Sequence, residues 1–258
     1  MKTPVYVVSL LRDDDRRNKI EKDFSELGID FQFFDAVDAK DPKNHALIES
    51  MRMHGIGAEM TNGEIACTLS HQLIFKDMLE NLHEWAIILE DDVIVDKRFK
   101  KFLSSFNDNE KKKLRKDHLY MLGGQKGLHD YPVLGLSLFS RQRISTCSFR
   151  RVNYNKKKVR RTCCYLMNDV MADKLLHLTQ VHGTYRADSW KLMHQQNIIN
   201  DFYLDEIILH PVVCGANSHL ESERLHASGK AKRPRTYLQK KLKLWRSWLK
   251  VSFFSFCK

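Results

Sequence analysis

The sequence predicts an α/β fold: a mostly parallel, Rossmann-like sheet with helices on both faces, plus a C-terminal amphipathic helical tail. Three observations carry this. Trp85-Ala86-Ile87-Ile88-Leu89 is an unbroken apolar run, followed by Glu90-Asp91-Asp92 and then Val93-Ile94-Val95. Such a run reads as a strand buried on both faces, as central strands of helix-covered parallel sheets are. Residues 4–38 read strand, helix, strand, the opening of a βαβ unit. Finally, residues 230–258 carry ten Lys or Arg and no Asp or Glu. The 258 residues therefore divide into one large domain over 1–229 and a basic tail over 230–258.

The elements follow in order. Pro4 to Leu10 is the first strand. A helix opens in the polar stretch Arg12–Arg17 and runs to about Leu27, where Gly28 is placed to end it. Asp30 to Phe34 is the second strand, ending at Asp35-Ala36-Val37-Asp38. Residues 42–61 look irregular, with a short helix near Ala46–Met53 and a Gly55-x-Gly57 loop. Asn62 is the expected cap of a long helix to about His83, with Ile65, Leu69, Leu73, Phe75, Leu79 and Leu82 mostly at helical spacing. After the central strand come a short helix over Lys97–Phe106, a charged stretch over Asp108–Lys116 and a strand over Leu119–Leu122, closed by Gly123-Gly124. From Gly124 to Arg161 periodicity fails and the segment is basic, which suggests a lid over an anionic substrate or a solvated loop. Thr162–Met167 reads as a strand, Asn168–Leu178 as a helix, and Ile207–Val213 as a last strand broken by His210-Pro211. Residues 215–229 are polar.

The acidic triple Glu90-Asp91-Asp92 is the candidate site. Acidic residues often end strands where the chain turns into solvent. Three together, between two buried-type runs, repel one another unless a cation neutralises them. A divalent ion with hard oxygen ligands, Mn²⁺ or Mg²⁺, does so. Ligands of open α/β sheets bind outside the carboxyl ends of the strands. Ser9, Arg12, Arg16 and Asp38 fall at such ends, where a base and ribose could be held. There is no glycine-rich phosphate loop. His71 is either a hydrogen-bonded core residue or a donor contact, and Asp188 either caps a helix to about Gln196 or is a catalytic carboxylate. His210 is a further metal ligand or an ordinary strand-end residue.

Composition narrows the rest. Without the tail the chain has 33 basic against 32 acidic residues, so its body is nearly neutral; that argues against a nucleic-acid binder and for a dedicated basic tail. Six cysteines without C-x-x-C spacing suggest neither a zinc site nor a disulfide framework. No apolar run approaches the ~20 residues that span a bilayer. The N-terminus enters a strand directly, without signal-peptide features, so the expected location is the cytoplasm. Leu238, Leu242, Trp245 and Leu249 recur at helical spacing among Lys240, Lys241, Lys243, Arg246 and Lys250, with Phe253, Phe254 and Phe256 beyond. That is the pattern of a helix lying on an anionic membrane surface; the bland reading is a C-terminal helix docked on the body.

These motifs converge. Val7-Val8-Ser9-Leu10-x-Arg12 with Arg16, Asp35-Ala36-Val37-Asp38, Gly63-Glu64-Ile65-Ala66-Cys67-x-Leu69-Ser70-His71 and Ile88-Leu89-Glu90-Asp91-Asp92 resemble glycosyltransferase family 25, as do Ala187-Asp188-x-Trp190 and Ser218-x-Leu220-Glu221-Ser222. The resemblance covers roughly residues 4–224. Ala66 stands where the usual pattern has Gly. The resemblance implies a GT-A type fold, a UDP-sugar donor, inversion at the anomeric carbon, and Glu90-x-Asp92 in place of Asp-x-Asp. It implies a hexosyl transfer, galactose foremost, to a lipid-linked lipooligosaccharide core, on the inner face of a bacterial inner membrane. Leu10 joins the expected donor contacts. Asp92 is the direct metal ligand, Glu90 reaches the metal through water or the ribose, Asp91 contacts the sugar or orients its neighbour, and Asp188 is the base on the acceptor hydroxyl. The other reading of the acidic cluster is a metal-dependent nucleotidyltransferase or phosphohydrolase.

Overall fold

The structure is a computed structural model and describes residues 2–52, 59–128, 132–211 and 236–256. The expected Gly55-x-Gly57 loop, the strand end at Val213, the 215–229 stretch and the Ser218–Ser222 motif lie outside the described residues.

The chain opens with β1 (Val5–Ser9), α1 (Asp14–Leu27) and β2 (Gln32–Asp35). Gly28 ends α1 at φ 59°, ψ 45°, its N–H reaching the carbonyls of Phe24 and Ser25; a side chain would strain that left-handed backbone. After α2 (His45–Arg52), α3 (Asn62–Glu80) is capped by Thr61, one residue before the expected cap. Thr61 Oγ1 accepts from the Glu64 N–H and the Glu64 carboxylate accepts from the Thr61 N–H, a reciprocal capping box.

β3 (Trp85–Glu90) is the centre of the body: Ile87, Ile88 and Leu89 are fully buried. Alternate residues serve two cores. Ala86 and Ile88 pack with Ile74 and Phe75 of α3, while Trp85, Ile87 and Leu89 pack with Ile20 and Phe24 of α1. Beyond β3 come α4 (Lys97–Ser105), α5 (Asp108–Lys111), β4 (His118–Gly123), β5 (Gly135–Ile144), β6 (Cys147–Tyr154), β7 (Cys164–Asn168), α6 (Asp169–His182), α7 (Trp190–Gln195) and β8 (Asp201–Ile208). Met171 and Leu175 of α6 and Trp190 of α7 cover the α3 face; Phe99 and Phe102 of α4 cover the α1 face. Helices thus lie on both faces, as expected.

The strand directions correct the expectation of a mostly parallel sheet. The described strands form one sheet in the order β2-β1-β3-β7-β4-β8-β6-β5. Pairs β1–β2, β1–β3 and β4–β8 are parallel, whereas β3–β7, β4–β7, β5–β6 and β6–β8 are antiparallel. A strand buried on both faces has the same apolar run whichever way it runs, so periodicity leaves direction open. Residues 124–161 are also corrected: much of this segment is the β5–β6 hairpin, turning at Ser145-Thr146, with Ser145 at φ 55°. Exposed Arg141 and Arg143 alternate with partly buried residues, and the strand is irregular between Leu136 and Arg141, which hid its period. β8 begins at Asp201, well before the expected Ile207, because Asp205 and Glu206 interrupt its apolar pattern.

The tail forms α8 (Tyr237–Ser255), capped by Thr236 with Gln239. It lies on the hairpin. Asn153 Nδ2 donates to the Phe254 carbonyl at 2.7 Å, Tyr154 stacks on Phe254 with centroids 4.4 Å apart, and Ser247 donates to the Pro132 carbonyl. Leu238, Leu242, Trp245, Leu249, Phe253 and Phe256 remain exposed, Trp245 by 60%. The helix thus docks on the body by one stripe and turns the amphipathic stripe read from the sequence to solvent. No described helix is long and apolar enough to cross a membrane.

Candidate active site

The pairings give β1, β3, β4 and β8 one direction, so their carboxyl ends share an edge, where β7 begins. Ser9, Glu90–Asp92, Gly123-Gly124 and His210 gather there with Arg161 and Thr162. Ser9, Leu10, Arg12, Arg16, Asp38, Glu90, Asp91 and Asp92 line one cavity, together with Lys40, Cys67 and Ser70.

Within the acidic triple the three carboxylates differ. Asp91 is 8% exposed. One of its oxygens accepts from Ser9 Oγ at 2.7 Å, the other from Arg16 Nη1 at 2.7 Å. Both oxygens are held by the body, so Asp91 anchors β3 to β1 and α1; burial still outweighs Arg16 and lifts its pKa. Glu90 accepts from Thr162 Oγ1. Burial, with the charge of Asp92 adding to it, pushes Glu90 up to about 7. Asp92 Oδ1 lies 3.0 Å from His210 Nε2, but not in hydrogen-bonding orientation, so this buried oxygen has no hydrogen-bond donor. Burial acts to raise the Asp92 pKa, and the adjoining imidazole more than offsets it, leaving the group below its usual value.

Glu90, Asp92 and His210 each present one ligand atom, all within 4.8 Å of one another. His210 Nδ1 is 2.7 Å from the Pro211 carbonyl; with Nδ1 donating there, a cation that displaces the Nε2 proton facing Asp92 would find Nε2 as its ligand atom, the arrangement metal-ligating histidines use. Two carboxylates, one imidazole and an orphaned carboxylate oxygen fit a divalent cation.

Arg12 pairs with Asp38. Burial works against the Asp38 carboxylate, yet the Arg12 hydrogen bond and the Lys40 N–H hold it below its ordinary value. His71 is not at the cavity. It is 2% exposed, with Nδ1 2.7 Å from the Tyr165 hydroxyl, and burial lowers its pKa to about 4. Its neighbour Ser70 lines the cavity instead, accepting from the Val37 N–H at 2.9 Å and so fixing the loop that carries Asp38. Consecutive helix residues point about 100° apart, so one faces the loop and the other the core.

Asp188 does not cap α7; Ser189 holds that position, without a side-chain cap bond. Asp188 Oδ2 accepts from the Arg161 N–H at 3.2 Å. Its segment is tied to α3: Thr68 donates to the Tyr185 carbonyl at 2.8 Å, and Arg186 Nε donates to buried Glu64 at 2.9 Å. Sequence reasoning missed Thr162, Ser70 and Arg161. The first two are small polar residues with no distinguishing spacing, and Arg161 sits among similar basic residues.

The profile of the family described as "Glycosyltransferase family 25 (LPS biosynthesis protein)" matches residues 2–190. The chain belongs to glycosyltransferase family 25. It is 35% identical over 99 residues to the lipooligosaccharide biosynthesis protein lic2B of Haemophilus influenzae, covering 38% of this chain and 37% of that one. It is 31% identical over 139 residues to a glycosyltransferase 25 family member of Aedes aegypti, covering 49% and 22%. It is 30% identical over 112 residues to procollagen galactosyltransferase 2 of Homo sapiens, covering 41% and 18%. The matches thus span about a fifth to two fifths of these relatives' lengths. Among solved structures, a glycosyltransferase involved in glycosylation of the major capsid of PBCV-1 aligns over 88% of this chain and 98% of that one, at 12% identity and TM-score 0.44. The family 25 match takes in Ser9 through Asp188 and Trp190; His210 and α8 lie beyond it.

Proposed function

We propose that this family 25 chain is a metal-dependent, inverting hexosyltransferase. In this reading it moves galactose from UDP-galactose to a lipid-linked lipooligosaccharide core. The observation that carries the reading is the Glu90–Asp92–His210 cluster, which adjoins a cavity lined by Ser9, Arg12, Arg16 and Asp38. The similarity to procollagen galactosyltransferase 2 supports the sugar, and that to the lipooligosaccharide biosynthesis protein lic2B supports the acceptor class.

Glu90, Asp92 and His210 would hold a divalent ion, Mn²⁺ or Mg²⁺. When bound it supplies Lewis-acid stabilisation of the charge that develops on the leaving diphosphate. Asp91 keeps the Asp92 loop in place through Ser9 and Arg16. Arg12 and Asp38 form the wall for base and ribose. Asp188 takes the proton of the attacking acceptor hydroxyl; its fixed oxygen is held by the Arg161 N–H. The exposed stripe of α8, with the lysines of that helix, rests on the anionic inner face of a bacterial inner membrane, where each basic residue contributes about 1 kcal/mol. That placement raises encounter with a lipid-linked acceptor.

The test is UDP release from a panel of UDP-sugars, with Mn²⁺ and with EDTA, for wild type and Asp92→Ala. Metal-dependent UDP release from UDP-galactose, absent in the variant, is the expected result. Release of pyrophosphate or phosphate would mark a nucleotidyltransferase or phosphohydrolase instead. No metal-dependent turnover or binding of any UDP-sugar would overturn the reading.

A further inference from the structure

Arg161 stands three residues before β7 in a left-handed backbone, φ 66°. A long side chain is disfavoured there, and glycine would fit without strain. Such a conformation persists when the surroundings over-determine it, and it clusters at sites where the strain has a use. Here three bonds hold the segment. The Arg161 N–H donates to Asp188 Oδ2 at 3.2 Å, its carbonyl accepts from Trp190 Nε1 at 2.9 Å, and the preceding Arg160 N–H donates to Gln125 Oε1 at 3.2 Å.

The result is a guanidinium aimed at the ligand cluster. Nη1 donates to the Gly124 carbonyl at 2.9 Å and lies 3.3 Å from His210 Nδ1. The other nitrogen of that ring is 3.0 Å from Asp92. Arg12 and Arg16, on the cavity side, are committed to Asp38 and Asp91. Among the described residues the Arg161 guanidinium has no carboxylate within ion-pair distance. It is therefore a partly buried, always-charged fork, anchored on a neutral carbonyl beside the metal ligands, with charge left for an anion.

We propose that Arg161 binds the β-phosphate of the nucleoside diphosphate, adding a protein cation to whatever the Glu90–Asp92–His210 cluster holds. Its role is to recognise the second phosphate of the donor and to receive the charge that develops on it as the glycosidic bond breaks. This rests on the nucleotide-donor reading above. A basic side chain that merely packed the hairpin against the sheet would not discriminate between one phosphate and two.

The experiment titrates the full chain with UDP and with UMP, both in Mn²⁺, by calorimetry, for wild type, Arg161→Gly and Arg161→Lys. Glycine suits the left-handed backbone and keeps both main-chain clamps, so the variant should melt no lower than wild type. We expect wild type to prefer UDP over UMP. In Arg161→Gly, UDP should weaken roughly tenfold to a hundredfold, as for loss of a charged hydrogen-bonding partner, while UMP changes less than about twofold on the same scale. Arg161→Lys should recover part of the preference. An Arg161→Gly variant with wild-type UDP-to-UMP preference overturns the proposal, as does a parallel loss of UDP and UMP. Failure of wild type itself to prefer UDP overturns the donor reading, and the proposal with it.

Discussion

Asp91 and Asp92 are adjacent, identical in type and opposite in expected behaviour. Asp91 accepts two hydrogen bonds of 2.7 Å, one from a guanidinium, at a site where it is 8% exposed. Replacing it by alanine strips Arg16 and Ser9 of their acceptor. A hydrogen bond to a charged group contributes about 1.5–3 kcal/mol, and breaking a buried pair by removing one partner costs about 3–5 kcal/mol. Arg16 keeps a second contact with Asp13, 3.5 Å away, and is partly exposed, so about 3 kcal/mol is the expected loss for Asp91→Ala. For a chain of this size that is roughly 6–12 °C in Tm. Asp92 has a different accounting. Its Oδ1 takes no hydrogen bond and its charge helps to push Glu90 up, against which stands its attraction to the His210 imidazole, so Asp92→Asn should cost clearly less metal-free stability than Asp91→Ala. What Asp92→Asn should lose is Mn²⁺, read by the paramagnetic signal of free against bound ion. The assay is therefore a pair of melts and a pair of Mn²⁺ titrations without metal carry-over. If Asp91→Ala melts like wild type, or if Asp92→Asn melts well below it while still binding Mn²⁺, the assignment of anchor and ligand is wrong.

Three further outcomes follow from particular contacts. His71 is neutral in the core, and burial lowers its pKa from 6.5 to about 4. The unfolded chain therefore takes up the proton first as pH falls. Stability is lost as pH drops from about 6.5 towards 4, by about 3 kcal/mol at full extent. Urea midpoints at pH 7.5 and 4.5 should accordingly converge in His71→Phe, with the UDP affinity of that variant unchanged at pH 7.5. Asp188→Asn keeps the shape and the acceptor oxygen for the Arg161 N–H, so sugar transfer should collapse while UDP affinity persists; retained turnover would remove Asp188 from the role of base. The two faces of α8 should separate: Trp245→Glu with Leu249→Glu should abolish sedimentation with phosphatidylserine vesicles at unchanged Tm, whereas Phe254→Ala, which loses the Tyr154 stack, should cost about 1–2 kcal/mol, a fall in Tm of about 2–8 °C.

The legible part of the site was the part that is contiguous in sequence. Glu90, Asp91 and Asp92 stand at the end of a run that has to be a buried strand; Ser9 ends β1, Arg12 follows it, Arg16 lies in the first turn of α1 and Asp38 follows β2, and all line the same cavity. His71 shows the limit: sequence places it on α3, but whether it faces loop or core depends on the angle at which that helix packs. Asp188 shows another, since its carboxylate bonds a backbone N–H 27 residues away instead of capping the helix beside it.

By itself the sequence determined the order of strands and helices around β3, the acidic edge, and an amphipathic tail with all its charge of one sign. These follow from local properties: apolar runs, turn residues and helical spacing, each readable within about a dozen residues. Only the tertiary structure decided the direction of β7, the β5–β6 hairpin, the docking of α8 by its other stripe, and the meeting of His210 and Arg161 with Asp92. Those depend on which strand adds beside which, and that is settled by burying both sheet faces and pairing the backbone groups of distant segments.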